Sequence, residues 1–79
     1  MDDKLRMACI NFDWACSKKL EAKEKEGWTG WDNPDSKRIL GTKLMEHTIR
    51  PFTQNNLINI SNYCMFLWNL IEITRKEEE

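Results

Sequence analysis

A chain of 79 residues is near the size at which one hydrophobic core becomes marginal, so we expect a single helical domain, residues 1–79, stabilised by a partner. Twelve basic and thirteen acidic residues give a net charge of −1, which is too balanced for a general DNA or RNA binder. We therefore expect no nucleic-acid partner. Four tryptophans in this length need a core, a partner or a flat ligand to cover them.

The cysteines indicate a reducing compartment. Cys9, Cys16 and Cys64 are odd in number and lie in apolar helical stretches, which is typical of buried, reduced thiols. No closely spaced pair in a loop suggests zinc ligands, so we expect no metal and no cofactor. The N-terminus lacks a basic segment followed by an apolar one, and the apolar stretch 63–73 is too short and polar to span a bilayer. We expect a soluble cytoplasmic protein without a membrane partner.

The first predicted helix covers about residues 2–25. One apolar stripe combines Leu5, Cys9, Phe12 and Cys16, and a second combines Met7, Ile10 and Trp14. A helix that is apolar over most of its circumference must be covered on more than one side. In so small a chain, this pattern predicts a homo-oligomer. Gly27 is placed to end the helix as the residue after the C-cap.

The second predicted helix covers about residues 34–50. Asn33 is a favourable N-cap and Pro34 fits the first helical position. Gly41 in the middle of a helix costs about 1 kcal/mol relative to alanine, so we expect another helix or a ligand to approach closely there. Pro51 ends the helix, because the residue before a proline avoids the α region.

The third predicted helix covers about residues 57–76, with Asn55 or Asn56 as its cap. Asn62 shares a face with Phe66, which indicates hydrogen bonds either to another helix or to a ligand. The segment 72–79 is charged and is predicted to be a frayed tail. The fold class is therefore all-α, with a three-helix protomer in a homo-oligomer.

The loop Gly27-Trp28-Thr29-Gly30-Trp31-Asp32-Asn33-Pro34 is the strongest local signal. Two indoles in a polar loop either pack on the helices as a lid or provide a stacking surface for a nucleobase, which contributes about 1–3 kcal/mol per base. His47, the only histidine, is either a satisfied core residue or a ligand for an anion or a base edge. Lysines and arginines of the first and second predicted helices are the candidates for contacts with phosphate groups.

A magnesium-dependent nucleotide pyrophosphohydrolase is one alternative. Such all-helical enzymes gather several carboxylates from two helices around the metal. Glu21 and Glu24 are spaced for one half of such a site, but the middle of the third helix carries asparagines where the other half belongs. We therefore favour a protein that is not an enzyme.

Three blocks together resemble a family of small phage-encoded helical proteins: the tryptophan loop, Leu44-Met45-Glu46-His47, and Ile60-Ser61-Asn62-Tyr63-Cys64-Met65-Phe66-Leu67-Trp68. The resemblance covers about residues 18–70. Asn33 stands where the family often has a second acid, and the connection 51–56 lacks the usual Gly-Asp-Pro turn. In size and in its aromatic loop the chain is also similar to the Sequestin and Lockin types of phage protein, which sequester nucleotide immune signals.

This resemblance implies a phage counter-defence protein that sequesters an ADP-ribose derivative or cyclic nucleotide in the cytoplasm of the infected bacterium. A protein-binding inhibitor of a host defence enzyme is the other alternative. The positions shared with the family are Trp28, Trp31, Asp32, His47, Asn62 and Tyr63. The full set of predicted ligand-binding residues adds the phosphate candidates Lys19, Lys23, Arg38 and Lys43 to these six.

Overall fold

The computed structural model describes residues 1–78, and all of the regular secondary structure in that range is helical. In chain order these are α1 (Asp3–Lys25), a short 3₁₀ helix (Pro34–Ser36), α2 (Lys37–Thr48) and α3 (Gln54–Glu78). The all-α class and the three main helices are therefore confirmed. Within the described residues, no helix is long and apolar enough to cross a membrane.

α1 begins one residue later than expected, because Asp2 acts as its cap. The Asp2 carboxylate accepts a hydrogen bond from the Leu5 backbone N–H at 2.7 Å. This bond satisfies one of the backbone donors that the first turn leaves without a helical partner. The negative charge also lies at the positive end of the helix dipole.

The second predicted helix is divided in two. The Asn33 side chain caps the 3₁₀ helix by accepting from the Asp35 N–H at 2.9 Å, and α2 then follows directly. α2 ends at Thr48, two residues before the predicted boundary. A Cβ atom placed on Gly41 would meet nothing within 4 Å, so the expected close approach at this glycine does not occur within one chain.

α3 begins at Gln54, three residues earlier than the sequence indicated, and it continues to Glu78. Its cap is Thr53 rather than Asn55 or Asn56. The Thr53 hydroxyl accepts from the Asn56 N–H at 3.1 Å, and the Thr53 carbonyl accepts from the Leu57 N–H at 2.9 Å. The Asn56 side chain is thereby free to turn inward. The charged segment from Glu72 to Glu78 belongs to this helix, and Glu79 lies outside the described residues.

α2 and α3 form an antiparallel pair that holds the core. Leu40 early in α2 packs with Phe66 and Leu70, in the middle and second half of α3, whereas His47 late in α2 lies against Tyr63, which precedes them. Leu70 is completely buried. Leu20 of α1 and the two loop tryptophans close this core from one side. The core is small, as the chain length led us to expect.

The first half of α1 lies outside this core. Of the stripe predicted to be buried, only Cys16 is buried in the single chain, while Leu5, Cys9 and Phe12 are exposed. The expectation is wrong for one chain because α3 contacts α1 from about Phe12 onward, through the groove beside Leu57 and at the Cys16 carbonyl. Residues 3–10 of α1, which precede this contact, are all exposed in the single chain.

Candidate functional site

The tryptophan loop leaves α1 through a glycine-dependent turn. Gly27 has φ of 87°, its N–H donates to the Glu24 carbonyl at 2.9 Å, and the Trp28 N–H donates to the Lys23 carbonyl at 3.0 Å. These two bonds form the Schellman motif that ends many helices. A residue with a side chain is strained at such a φ, whereas glycine is not. The turn directs Trp28 back toward α3.

A second turn fixes Trp31. Gly30 has φ of 89°, and its carbonyl accepts from the Ser36 hydroxyl at 2.7 Å and from the Asn33 N–H at 3.2 Å. Both bonds join the residue before Trp31 to residues after it, so the segment that carries Trp31 is closed into a turn just before α2. Such bonds restrict the loop before any ligand arrives, which reduces the entropy lost on binding.

Both indoles pack on one residue of α3. The ring centroids of Trp28 and Trp31 each lie 5.2 Å from that of Phe66, with interplanar angles of 33° and 27°. Phe66 is almost fully buried beneath them, whereas the two tryptophans are half-buried. The indoles thus contribute to the core, as one of the two interpretations predicted, and each retains exposed surface.

That exposed surface lines an open pocket of about 450 Å³. Ligand pockets in proteins commonly measure about 300–1,000 Å³ and combine aromatic walls with a few polar groups. The charged side chains here are the carboxylates of Glu24 and Asp32, both of which are exposed. The lining residues are Leu20, Glu24, Trp28, Thr29, Gly30, Trp31, Asp32, Met65 and Phe66.

Of the four predicted phosphate contacts, one lies beside this pocket. The Lys23 ammonium is 5.6 Å from the Trp28 ring centroid, within the range of a cation–π contact. Lys19 instead donates to the Asn55 side chain at 3.4 Å, and Lys43 pairs with Glu46 at 3.8 Å. The fourth, Arg38, lies exposed on α2. None of the last three lines the pocket.

His47 lies in a separate polar cluster between α2 and α3. The Asn56 amide nitrogen donates to the carbonyls of His47 and Pro51 at 2.8 and 3.3 Å. Because carbonyls only accept, this fixes the orientation of the amide, and its oxygen faces His47 Nδ1 at 2.7 Å. Nδ1 must therefore carry the proton, and in the neutral ring Nε2 is the acceptor.

An aromatic row connects this cluster to the pocket. The rings of His47 and Tyr63 stack at 5.4 Å, and the Tyr63 ring meets Phe66 edge to face at 6.2 Å. Phe66 in turn supports both loop tryptophans. The predicted site residues on this row are therefore linked through Phe66, although His47 does not line the pocket.

Asn62 faces the other way. It is buried, and its amide donates to the Cys16 carbonyl of α1 at 3.3 Å, as expected for a satisfied contact between helices. Sequence reasoning missed Glu24, Met65 and Phe66 as pocket residues, and Asn56 as the partner of His47. Met65 and Phe66 lie within the block that carries the family resemblance, which was the available signal.

Within residues 1–78, no group of three or more histidine, cysteine, aspartate or glutamate side chains is placed to hold a metal ion. Comparison of the chain with protein-family models, with curated proteins and with solved structures finds no match. The resemblance to small phage proteins therefore stays a prediction.

Proposed function

We propose that this chain is a non-catalytic binding protein that captures a flat, nucleotide-derived ligand in the tryptophan-lined pocket. The observation that supports this most is the pair of half-buried indoles, each held 5.2 Å from the Phe66 ring, along a pocket of about 450 Å³. An aromatic face held by packing stacks on a base without a further loss of side-chain entropy. The biological role would be sequestration of an ADP-ribose derivative or cyclic nucleotide by a phage during infection.

The charges of the pocket determine which part of such a ligand enters it. Glu24 and Asp32 would repel a phosphate, but their carboxylates accept hydrogen bonds from the exocyclic amino group of a base. Lys23, beside Trp28, is the cation placed to meet a phosphate at the rim. We therefore expect adenine, guanine or cytosine ligands to bind and uracil ligands, which lack an amino group, to bind at least tenfold more weakly.

The first experiment is native mass spectrometry of the purified protein after incubation with ADP-ribose, cyclic ADP-ribose and cyclic dinucleotides that contain adenine, guanine or uracil. Retention of an unmodified nucleotide at fixed stoichiometry supports the proposal. Retention of none of them overturns it. A changed ligand mass in solution would instead indicate the nucleotide hydrolase, since catalysis and not capture alters the ligand.

Calorimetric titration of variants then tests the site. Trp31→Leu keeps an apolar residue on Phe66 but removes the stacking surface, and we expect it to weaken binding about tenfold or more. Trp68→Leu is the matched control, because Trp68 is exposed on α3 and does not line the pocket. Asp32→Asn changes an exposed side chain, so it tests the carboxylate without endangering the fold. Equal binding by Trp31→Leu and Trp68→Leu would rule out this pocket.

The protein-binding inhibitor is supported by a different observation. Trp14 and Trp68 are 64 % and 63 % exposed, and exposed tryptophans are frequent anchors of protein interfaces. Capture of a host defence enzyme by the wild type, abolished by Trp68→Leu and unaffected by Trp31→Leu, would favour that function.

We also propose that the chain self-associates, since much of the apolar surface of α1 is uncovered in one copy.

A further inference from the structure

One face of the first half of α1 is apolar and has no neighbour within the chain. Met7, Ile10 and Trp14 recur at helical spacing and are 53 %, 51 % and 64 % exposed. The opposite side of the helix carries Cys16 and Leu20, which face α3 and the core. We call the face formed by Met7, Ile10 and Trp14 the outer face of α1.

We infer that the outer face of α1 binds the same face of a second copy of this chain, with the two α1 helices antiparallel. The charges beside the face support this arrangement. Arg6 and Asp13 are seven residues apart and lie on one flank of the face, with opposite signs. An antiparallel pair that places Met7 against the partner's Ile10 brings Arg6 beside the partner's Asp13, and by symmetry this contact forms twice.

The alternative pairings are less favourable. A parallel pair would align Asp3 with the partner's Asp3 and bring together two positive helix N-termini. The other apolar stripe of α1, formed by Leu5, Cys9 and Phe12, leads directly to Cys16, whose carbonyl already bonds to Asn62 of α3. A second helix on that stripe, in the register that matches the charges, would collide with α3.

The single chain leaves the flanking charges available for this contact. Asp13 forms no ion pair within residues 1–78, and Arg6 has two surface contacts, an ion pair with Asp3 at 3.6 Å and a hydrogen bond that it donates to the Met1 carbonyl at 3.4 Å. Exposed pairs of this kind contribute about 0–1 kcal/mol, so exchanging one partner for another costs little. Within one chain, the Lys18 ammonium lies 5.5 Å from the centroid of the Trp14 ring. In the dimer, the Trp14 side chain would extend over the first turn of the partner's α1.

The size of the outer face sets the expected affinity. With about 200 Å² for each large side chain, half exposure of three of them amounts to roughly 300 Å² of apolar surface per copy. Two copies contribute roughly 600 Å² of apolar surface, so even with their charged flanks the contact is at the small end of specific interfaces, whose lower limit is about 1,000 Å². We therefore expect a reversible dimer with a dissociation constant on the order of micromolar.

Sedimentation equilibrium over a range of protein concentrations tests the dimer without added ligand. Ile10→Lys should leave the chain monomeric, because it buries two unpaired charges in the pair. Ile49→Lys is the matched control, since Ile49 is 85 % exposed at the end of α2 and should not change association. A wild type that stays monomeric well above micromolar concentration, or equal association of the two variants, would overturn the inference.

A charge exchange tests the register. Arg6→Asp and Asp13→Arg each turn two attractive contacts into repulsive ones, so each should weaken the dimer about tenfold. The double exchange restores both contacts and should recover most of the affinity. Neither position lies in the core, and a new acid near the N-terminus of α1 is favourable there. If the double variant is as weak as the single ones, the antiparallel register is wrong.

Disulfide trapping provides a second, independent measurement. In a Cys9→Ser, Cys64→Ser background, which removes both exposed thiols, an equal mixture of Met7→Cys and Ile10→Cys chains should oxidise mainly to the mixed dimer. A parallel pair would give the two homodimers instead. None of these residues lines the tryptophan pocket, so the dimer and the ligand proposal can fail separately.

Discussion

Asn56 is the residue whose replacement tests the packing of α2 on α3 most directly. Its side chain makes three hydrogen bonds, to the carbonyls of His47 and Pro51 and to His47 Nδ1, at 2.8, 3.3 and 2.7 Å. Asn56 is also buried, with only 7 % of its surface exposed. Replacement by alanine leaves these partners without a donor or acceptor in a place that water reaches poorly.

The expected loss follows from these contacts. Each hydrogen bond contributes about 1 kcal/mol net, with the 3.3 Å contact contributing less, and alanine regains about 0.5 kcal/mol through its higher helix propensity. Asn56→Ala should therefore lower the free energy of unfolding by about 2 kcal/mol. For a domain of this length, that corresponds to a decrease in Tm of about 8–16 °C.

The neighbouring asparagine provides the control. Asn55 is exposed and has one long contact, with the Lys19 ammonium at 3.4 Å, so Asn55→Ala makes the same chemical change without the buried bonds. We expect its stability to stay within about 0.5 kcal/mol of the wild type. Urea denaturation followed by far-UV circular dichroism, at one protein concentration, measures both variants. Equal stabilities for the two would refute the assigned role of Asn56.

Three further predictions concern the fold and use the same assay. Gly27→Ala should lower the free energy of unfolding by about 1 kcal/mol, because Gly27 has a positive φ. Gly41→Ala should raise it by about as much, since a Cβ added at Gly41 meets nothing within 4 Å; a loss of stability in this variant would contradict the open space beside Gly41. Leu70→Ala should lower the free energy of unfolding by about 2–5 kcal/mol, because Leu70 is completely buried, whereas Ile71→Ala should lower it far less, because the neighbouring Ile71 is half exposed; similar losses would contradict the position of the core. Asp2→Ala should cost about 1 kcal/mol by removing the cap of α1, and no change would mean that the cap is not formed.

Local signals allowed much of the fold to be predicted. Gly27 and Asn33 have the roles that the sequence indicated, because a helix end and a cap depend on neighbouring residues only. The start of α3 was predicted less well. Only Asn55 and Asn56 were expected as caps, whereas Thr53 is the cap, and this outcome depends on the tertiary partners that the Asn56 side chain finds in α2.

The site was predictable in part for the same reason. The sequence identified Trp28 and Trp31 as a functional or packing feature, but it did not identify Phe66 as the residue that joins them. That contact depends on where the loop between α1 and α2 crosses α3, which two glycine turns determine. The prediction of the phosphate contacts depended mainly on charge, and charge without a fold does not show which side of a helix borders the pocket.

α1 combines two roles at different positions along its length. Its second half supplies Leu20 and Glu24 to the pocket, and Lys23 lies at the rim. Its first half carries the outer face and lies beyond the end of the core. In the inferred dimer, contact would be confined to about residues 3–14 of each α1, so both pockets would stay open. Each chain would then bind its own ligand, and the saturated dimer would hold two ligands without requiring either one for its assembly.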